Sequence, residues 1–208
     1  MARWEPNGTS RLEQAALVLF GERGFDNTTV ADIAERAGLT ERTFFRHFAD
    51  KREVLFGGSH MLRELLVREV AAAPASATPI DAVATALEAA GAVLQQRREH
   101  ARQRQAVIAA NTELRERELI KLALLAQTLA DALQARGVAA SVATLAGEAG
   151  IAGFKVAFER WVTAAAEADL PQLIRESFDE LQTVTAGSRR RPRDAKATAR
   201  VAGHQGKP

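Results

Sequence analysis

Apolar residues recur at intervals of three and four along almost the whole of this chain, and the two-residue alternation of a half-buried strand is missing. A chain with that single period buries its apolar side along helices. Alanine is abundant, which favours the same outcome. We therefore expect an all-α fold of about nine helices. At 208 residues, 47% hydrophobic and 26% charged, the chain has enough apolar matter to fill a core without metal or disulfide staples.

Start and stop signals divide the helices. Ser10 with Glu13, Thr29 with Asp32 and Asp50 with Glu53 have the spacing of capping boxes, and Thr40 stands where it caps another start. Gly24, Gly38 and Gly137 stand where helices stop. Pro74 and Pro79 bracket a loop. These signals predict helices over 10–24, 29–38, 40–47, 51–71, 79–96, 98–110, 112–136, 141–166 and 170–185. Domain limits follow at 9–56, 57–185 and 186–208, the last a disordered basic tail.

Charge is distributed unevenly. The tail holds Arg189, Arg190, Arg191, Arg193, Lys196, Arg200 and Lys207 against Asp194 alone, so with an overall formal charge of +2 the rest of the chain is acidic. Affinity for a polyanion must then come from local placement of basic groups. Cysteine is absent, and the four histidines lack zinc-ligand spacing, so neither a thiol site nor a metal is expected. The N-terminus has no apolar signal-peptide core, and charges interrupt the most apolar stretch, 138–162, so a cytoplasmic protein without a membrane span is expected. No nucleophile, base and orienting group come together, so no enzyme and no cofactor are expected.

The two short helices on either side of Gly38 form a helix-turn-helix, with Ala34 and Ala37 small at the crossing and Leu39, Phe44 and Phe48 supplying core. Such a motif lays its second helix in a DNA major groove, although turn geometry alone fits an ordinary helical hairpin equally well.

The segment GFDNTTVADIAERAGLTERTFFRHFADKREVL, residues 24–55, closely resembles the N-terminal domain of the TetR family. It has Gly-Phe after helix one, a threonine-started helix two, Ala-Gly-Leu-Thr at the turn and Phe-x-x-Lys-x-x-x-Leu after it. The resemblance implies a homodimer that binds palindromic operator DNA and releases it when a small-molecule effector enters the C-terminal body. Carried over by position, Glu41, Arg42, Thr43 and Phe45 face the bases, and Thr28, Thr29, Thr40, Arg46, His47 and Lys51 meet phosphates. Phe45 stands where the family usually has tyrosine, so that contact is expected to be apolar.

Behind the head, the helical period gives an expected effector pocket of His100, Gln103, Val107, Asn111, Leu125, Thr128, Phe154 and Trp161. A helix-turn-helix protein with a fully packed body and no effector is the alternative, and an all-α enzyme a more distant one. Gly147, Gly150 and Gly153 read as close helix packing. Helix eight is apolar or small around most of its circumference, so helices eight and nine are expected to form the dimer interface. Gly57 and Gly58, two turns into helix four, are expected to be a soft joint between head and body.

Overall fold

A computed structural model describes residues 8–164 and 168–186. Among them the chain forms nine α-helices, one 3-10 helix and no strand: α1 Gly8–Arg23, α2 Val30–Arg36, α3 Glu41–His47, η1 Arg52–Phe56, α4 Ser59–Ala72, α5 Pro79–Gln95, α6 Arg98–Ala109, α7 Thr112–Ala135, α8 Ala140–Thr163 and α9 Leu170–Thr185. The expected tail lies outside the described residues apart from Ala186.

Two apolar clusters organise these helices. The larger is the body, in which α8 packs against α5, α7 and α9, and α4 closes the bundle against α5 and α7. The smaller fills the space between α1, α2, α3 and η1. It is completed by Ile108 of α6 and Leu114 of α7, both fully buried, so two body helices supply part of the head's core.

The glycines of α8 allow its closest approaches. A Cβ on Gly147 would lie 2.5 Å from the Ala126 carbonyl oxygen, one on Gly150 2.3 Å from Val83 Cγ1, and one on Gly153 3.4 Å from the Phe178 ring. The helix therefore approaches α7 and α5 through Gly147 and Gly150, where the packing reading holds, while Gly153 faces α9 at ordinary contact distance.

Helix four departs from the expected continuous helix over 51–71. Its first turn is η1, and the α-helix begins only at Ser59. Carbonyls that would continue the helix are drawn elsewhere, Leu55 O to Arg104 Nε at 2.7 Å and Phe56 O to Ser59 Oγ at 2.6 Å. Two expected capping boxes also fail. Ser10 is already inside α1. Asp50 does accept from the Arg52 and Glu53 amides at 2.8 and 3.1 Å, but the Glu53 carboxylate turns to α7.

Gly57 and Gly58 thus sit between two helices rather than inside one, with ordinary right-handed backbone angles. A Cβ on Gly57 would meet Glu13 Oε1 at 2.3 Å and Phe48 Cε1 at 3.1 Å, whereas one on Gly58 meets nothing within 4 Å. Gly58→Ala should stabilise the fold by roughly 0.4–1 kcal/mol, by restricting the unfolded chain. Gly57→Ala should cost about 1 kcal/mol, because the Glu13 carboxylate can swing aside but the Phe48 ring has little room. Paired thermal melts check the opposite signs.

Candidate nucleic-acid interface

The helix-turn-helix is set by short-range bonds. Thr29 and Asp32 close a complete capping box: the carboxylate accepts from the Thr29 amide at 2.8 Å and hydroxyl at 2.6 Å, and the Asp32 amide donates to Thr29 Oγ1 at 3.1 Å. The threonine hydroxyl and amide hold the Asp32 carboxyl below the usual carboxylate range. Gly38 takes φ 62° at the turn, a conformation that side chains with a Cβ rarely adopt. Arg11 of α1 donates to the Ala37 carbonyl and ties the turn to the first helix. Thr40 then caps α3, its Oγ1 accepting from the Thr43 amide at 3.2 Å.

α3 is held by one side. Phe44 is fully buried and Phe48 nearly so, their rings 5.3 Å apart. The other side carries Glu41, Arg42, Arg46 and His47, all exposed, and Phe45, 54% exposed, which is unusual for so large an apolar group. Arg23, Arg36 and Arg52 of the head pair with Asp32, Glu22 and Asp50, while Arg42 and Arg46 make no ion pair among the described residues. Arg46 lies 3.4 Å from His47 Nε2, and His47 Nδ1 lies 3.2 Å from Thr9 Oγ1. Thr43 is half-buried, its hydroxyl 3.0 Å from that of Thr40.

Two of the expected phosphate contacts are turned inward instead. Thr28 is 1% exposed, and its hydroxyl donates to the Gly24 carbonyl at 2.9 Å and, less closely, to Leu19 O. Lys51 Nζ donates to the Phe25 and Thr28 carbonyls at 2.7 and 2.9 Å and stands 4.0 Å over the Phe25 ring. Thr28 ties the loop back onto α1, and Lys51 ties it to the start of η1. The loop's buried turn has carbonyls that need donors, and the sequence contains no other signal of that need.

The expected effector pocket is not assembled. Leu125, Phe154 and Trp161 belong to the body's core, but Val107 packs on the head's cluster. Asn111 is the N-cap of α7, accepting from the Leu114 amide at 3.2 Å. Gln103 is exposed and bonded to Glu99, and Thr128 donates to the Leu124 carbonyl. His100 lies at an open cleft of about 330 Å³ with Ser10, Glu13, Gln14, Gln96 and Arg97, between head and body. Burial, helped by Arg97 and Arg104, holds its imidazole below the ordinary range. Burial pushes the Glu13 carboxyl up, opposed by Arg97. Helical spacing identified the inward apolar positions Val107, Leu125, Phe154 and Trp161 but not which core they face, and it placed the exposed Gln103 inward.

Sequence reasoning also missed a group of charges under the head. Glu53 accepts from Arg117 Nε at 2.6 Å and Lys121 Nζ at 2.9 Å, and Arg104 bonds both Leu55 O and, at 3.1 Å, Glu118. The partners in η1 and in α6 and α7 are 49 to 68 residues apart, so no local spacing signals them. Among the described residues no group of acidic and histidine side chains suits a metal ion, and no helix is long and apolar enough to cross a membrane.

Comparison with known proteins agrees with this geometry. Residues 13–56 match the profile described as "Bacterial regulatory proteins, tetR family", and residues 77–186, more than half of the chain, match that of the MftR C-terminal domain. The HTH-type transcriptional regulator TcmR of Streptomyces glaucescens is 38% identical over 79 residues, 38% of this chain and 35% of TcmR, so the match spans about a third of that relative. Two solved structures share the fold. FadR of Thermus thermophilus in complex with lauroyl-CoA has a TM-score of 0.54 at 21% identity, covering 92% of this chain and 99% of that one. FadR of Bacillus subtilis in complex with stearoyl-CoA has a TM-score of 0.54 at 21% identity, covering 83% and 96%. With both profiles in register along the head and the body, the chain belongs to the TetR family of bacterial transcriptional regulators.

Proposed function

We propose that the protein is a homodimeric repressor that binds a palindromic operator through α3 and is released by a small-molecule effector. The observation that carries the DNA-reading part is the exposed side of α3, where Arg42 and Arg46 lack carboxylate partners and Phe45 stands in solvent. Arg42 suits guanine O6 and N7, Glu41 suits cytosine N4, and the Thr43 methyl and Phe45 ring suit thymine methyls. Thr29, Thr40, Arg46 and His47 line the edges, where phosphates pass.

The test is selection of duplexes from random DNA by the purified protein, followed by titration of variants. Arg42→Ala should cost about 1–3 kcal/mol on the selected duplex and relax preference at one position in each half-site. Equal loss on selected and scrambled DNA would contradict base reading. Lys51→Ala should instead lower the head's stability by about 1.5–3 kcal/mol, since its ammonium is held by two carbonyls, and leave the salt dependence of binding unchanged.

The dimer reading is supported by α8, whose Ile151, Phe154, Phe158 and Trp161 face the body's own core while Val142, Leu145, Ala149, Ala152 and Val156 form a second stripe at three- and four-residue spacing. Leu145 is 70% exposed, and Val184 of α9 78%. Such a two-helix face suits a two-fold contact. A monomer in sedimentation at micromolar concentration would contradict it. The effector reading is supported by Trp161 Nε1 and Ser177 Oγ, buried polar atoms of the body with no hydrogen-bond partner, and by the acyl-CoA held in both FadR structures. A soft joint at Gly57 and Gly58 belongs to the same reading: changing both to alanine should then change operator affinity or effector response.

A further inference from the structure

The charges under the head differ from every other ion pair among the described residues. In each of the others at least one side chain is 41% exposed or more, whereas Glu53 is 17%, Lys121 20%, Arg104 21%, Glu118 22% and Arg117 34% exposed. Partial burial makes such pairs less screened by salt and more demanding of geometry. They also all act at one place. Glu53 takes two cations of α7, and Arg104 of α6 holds the Leu55 carbonyl while lying 4.8 Å over the Phe56 ring. Lys121 stands 6.0 Å from the same ring. Three cations of two body helices, Arg104 of α6 and Arg117 and Lys121 of α7, thus grip η1, the segment that follows the recognition helix in the chain.

We propose that this grip is a clamp that fixes the tilt of the DNA-binding head, and that Glu53, Arg104, Arg117 and Lys121 are positioning residues for operator half-site spacing. The proposal rests on the dimeric operator-binding reading above. The argument is one of stiffness. A salt bridge to a single exposed lysine leaves a swinging joint, but a carboxylate shared by a guanidinium and an ammonium, beside a second guanidinium bonded to backbone, restrains the segment at several points. The apolar contact of Ile108 and Leu114 with the head keeps the two parts together but is not directional. Directionality comes from the charged bonds. A rigid tilt matters because inserting one base pair between half-sites moves the second by about 3.4 Å and turns it by roughly 35°.

The experiment measures binding of the parent and variants to the duplex selected by the parent, and to the same duplex with one central base pair inserted or removed. The parent should discriminate steeply. Glu53→Gln, which keeps the shape and removes the charge, should reduce that discrimination roughly two- to thirtyfold while its helix content and melting of the body stay at the parent's values. Unchanged discrimination with a folded head overturns the clamp, as does a loss of affinity equal for all three spacings, which is what a merely structural role would give. If the Glu53→Gln head unfolds, the charge-inverted chain Glu53→Lys with Arg117→Glu and Lys121→Glu decides: restored spacing discrimination supports the clamp, and failure to restore it overturns it. A parent that selects no sequence, or binds as a monomer, overturns the underlying reading before any variant is made.

Discussion

Phe44→Ala is expected to abolish DNA binding through a residue that no base can reach. Phe44 is fully buried where α3 meets the head's core, against Phe48 at 5.3 Å and edge-on to Phe45 at 5.5 Å. Truncating a buried phenylalanine costs about 3–5 kcal/mol, the lost transfer energy plus the cavity left behind. The head's core is small, and such a loss is comparable with the whole stability of many domains. Phe45→Ala, one position on and 54% exposed, should leave the melting temperature within about a degree or two of the parent and weaken only the DNA complex. Far-ultraviolet melts alongside gel-shift titrations separate the two. A Phe44→Ala chain that melts like the parent would show that α3 is not held by this side.

The second large effect is a reversal of sign at Gly147. In an exposed helix interior, glycine to alanine gains roughly 0.8–1.0 kcal/mol. Gly21, exposed in the last turn of α1 with nothing within 4 Å of a Cβ, should gain part of that on Gly21→Ala. At Gly147 the new methyl would stand 2.5 Å from the Ala126 carbonyl oxygen and 3.4 Å from the Ala130 nitrogen, both backbone atoms of α7 that no rotamer change can move. α7 and α8 must separate, loosening Leu129, Ala130 and Ala143 in the body's core. Overpacking of this kind costs about 1–3 kcal/mol. Urea midpoints of the two single variants should fall on opposite sides of the parent. Stabilisation at both positions would mean that the helices are not so closely apposed.

Most of the fold was legible because it is written locally. The threonine caps at Thr29 and Thr40 and the left-handed turn at Gly38 depend only on residues within a few positions of one another, and each is present as read. The family resemblance, not the turn itself, placed Glu41, Arg42, Phe45, Arg46 and His47 at the DNA-facing surface, and all five are exposed. The errors occur where local rules had a tertiary competitor. Asp50 and Glu53 have capping-box spacing, but two cations of α7 offered Glu53 a stronger partner than a backbone amide. Asn111 and Val107 carried polar and apolar signals suited to a pocket wall, yet one was needed to start α7 and the other to close the head.

The sequence by itself determined the helical period, the helix ends that carry their own caps, the helix-turn-helix and the family to which it points. These follow from interactions between neighbours in the chain, whose geometry is nearly fixed once the backbone is helical. Only the tertiary structure decided that Thr28 and Lys51 face inward, that the apolar residues expected around an effector are divided between two cores, and that Glu53 and the Leu55 carbonyl of η1 bond to Arg117, Lys121 and Arg104 of the body. The reason is physical. An inward face is a property of one helix, but its partner is chosen by the packing of all the helices at once, and a charge taken partly out of water binds whichever opposite charge that packing brings within reach.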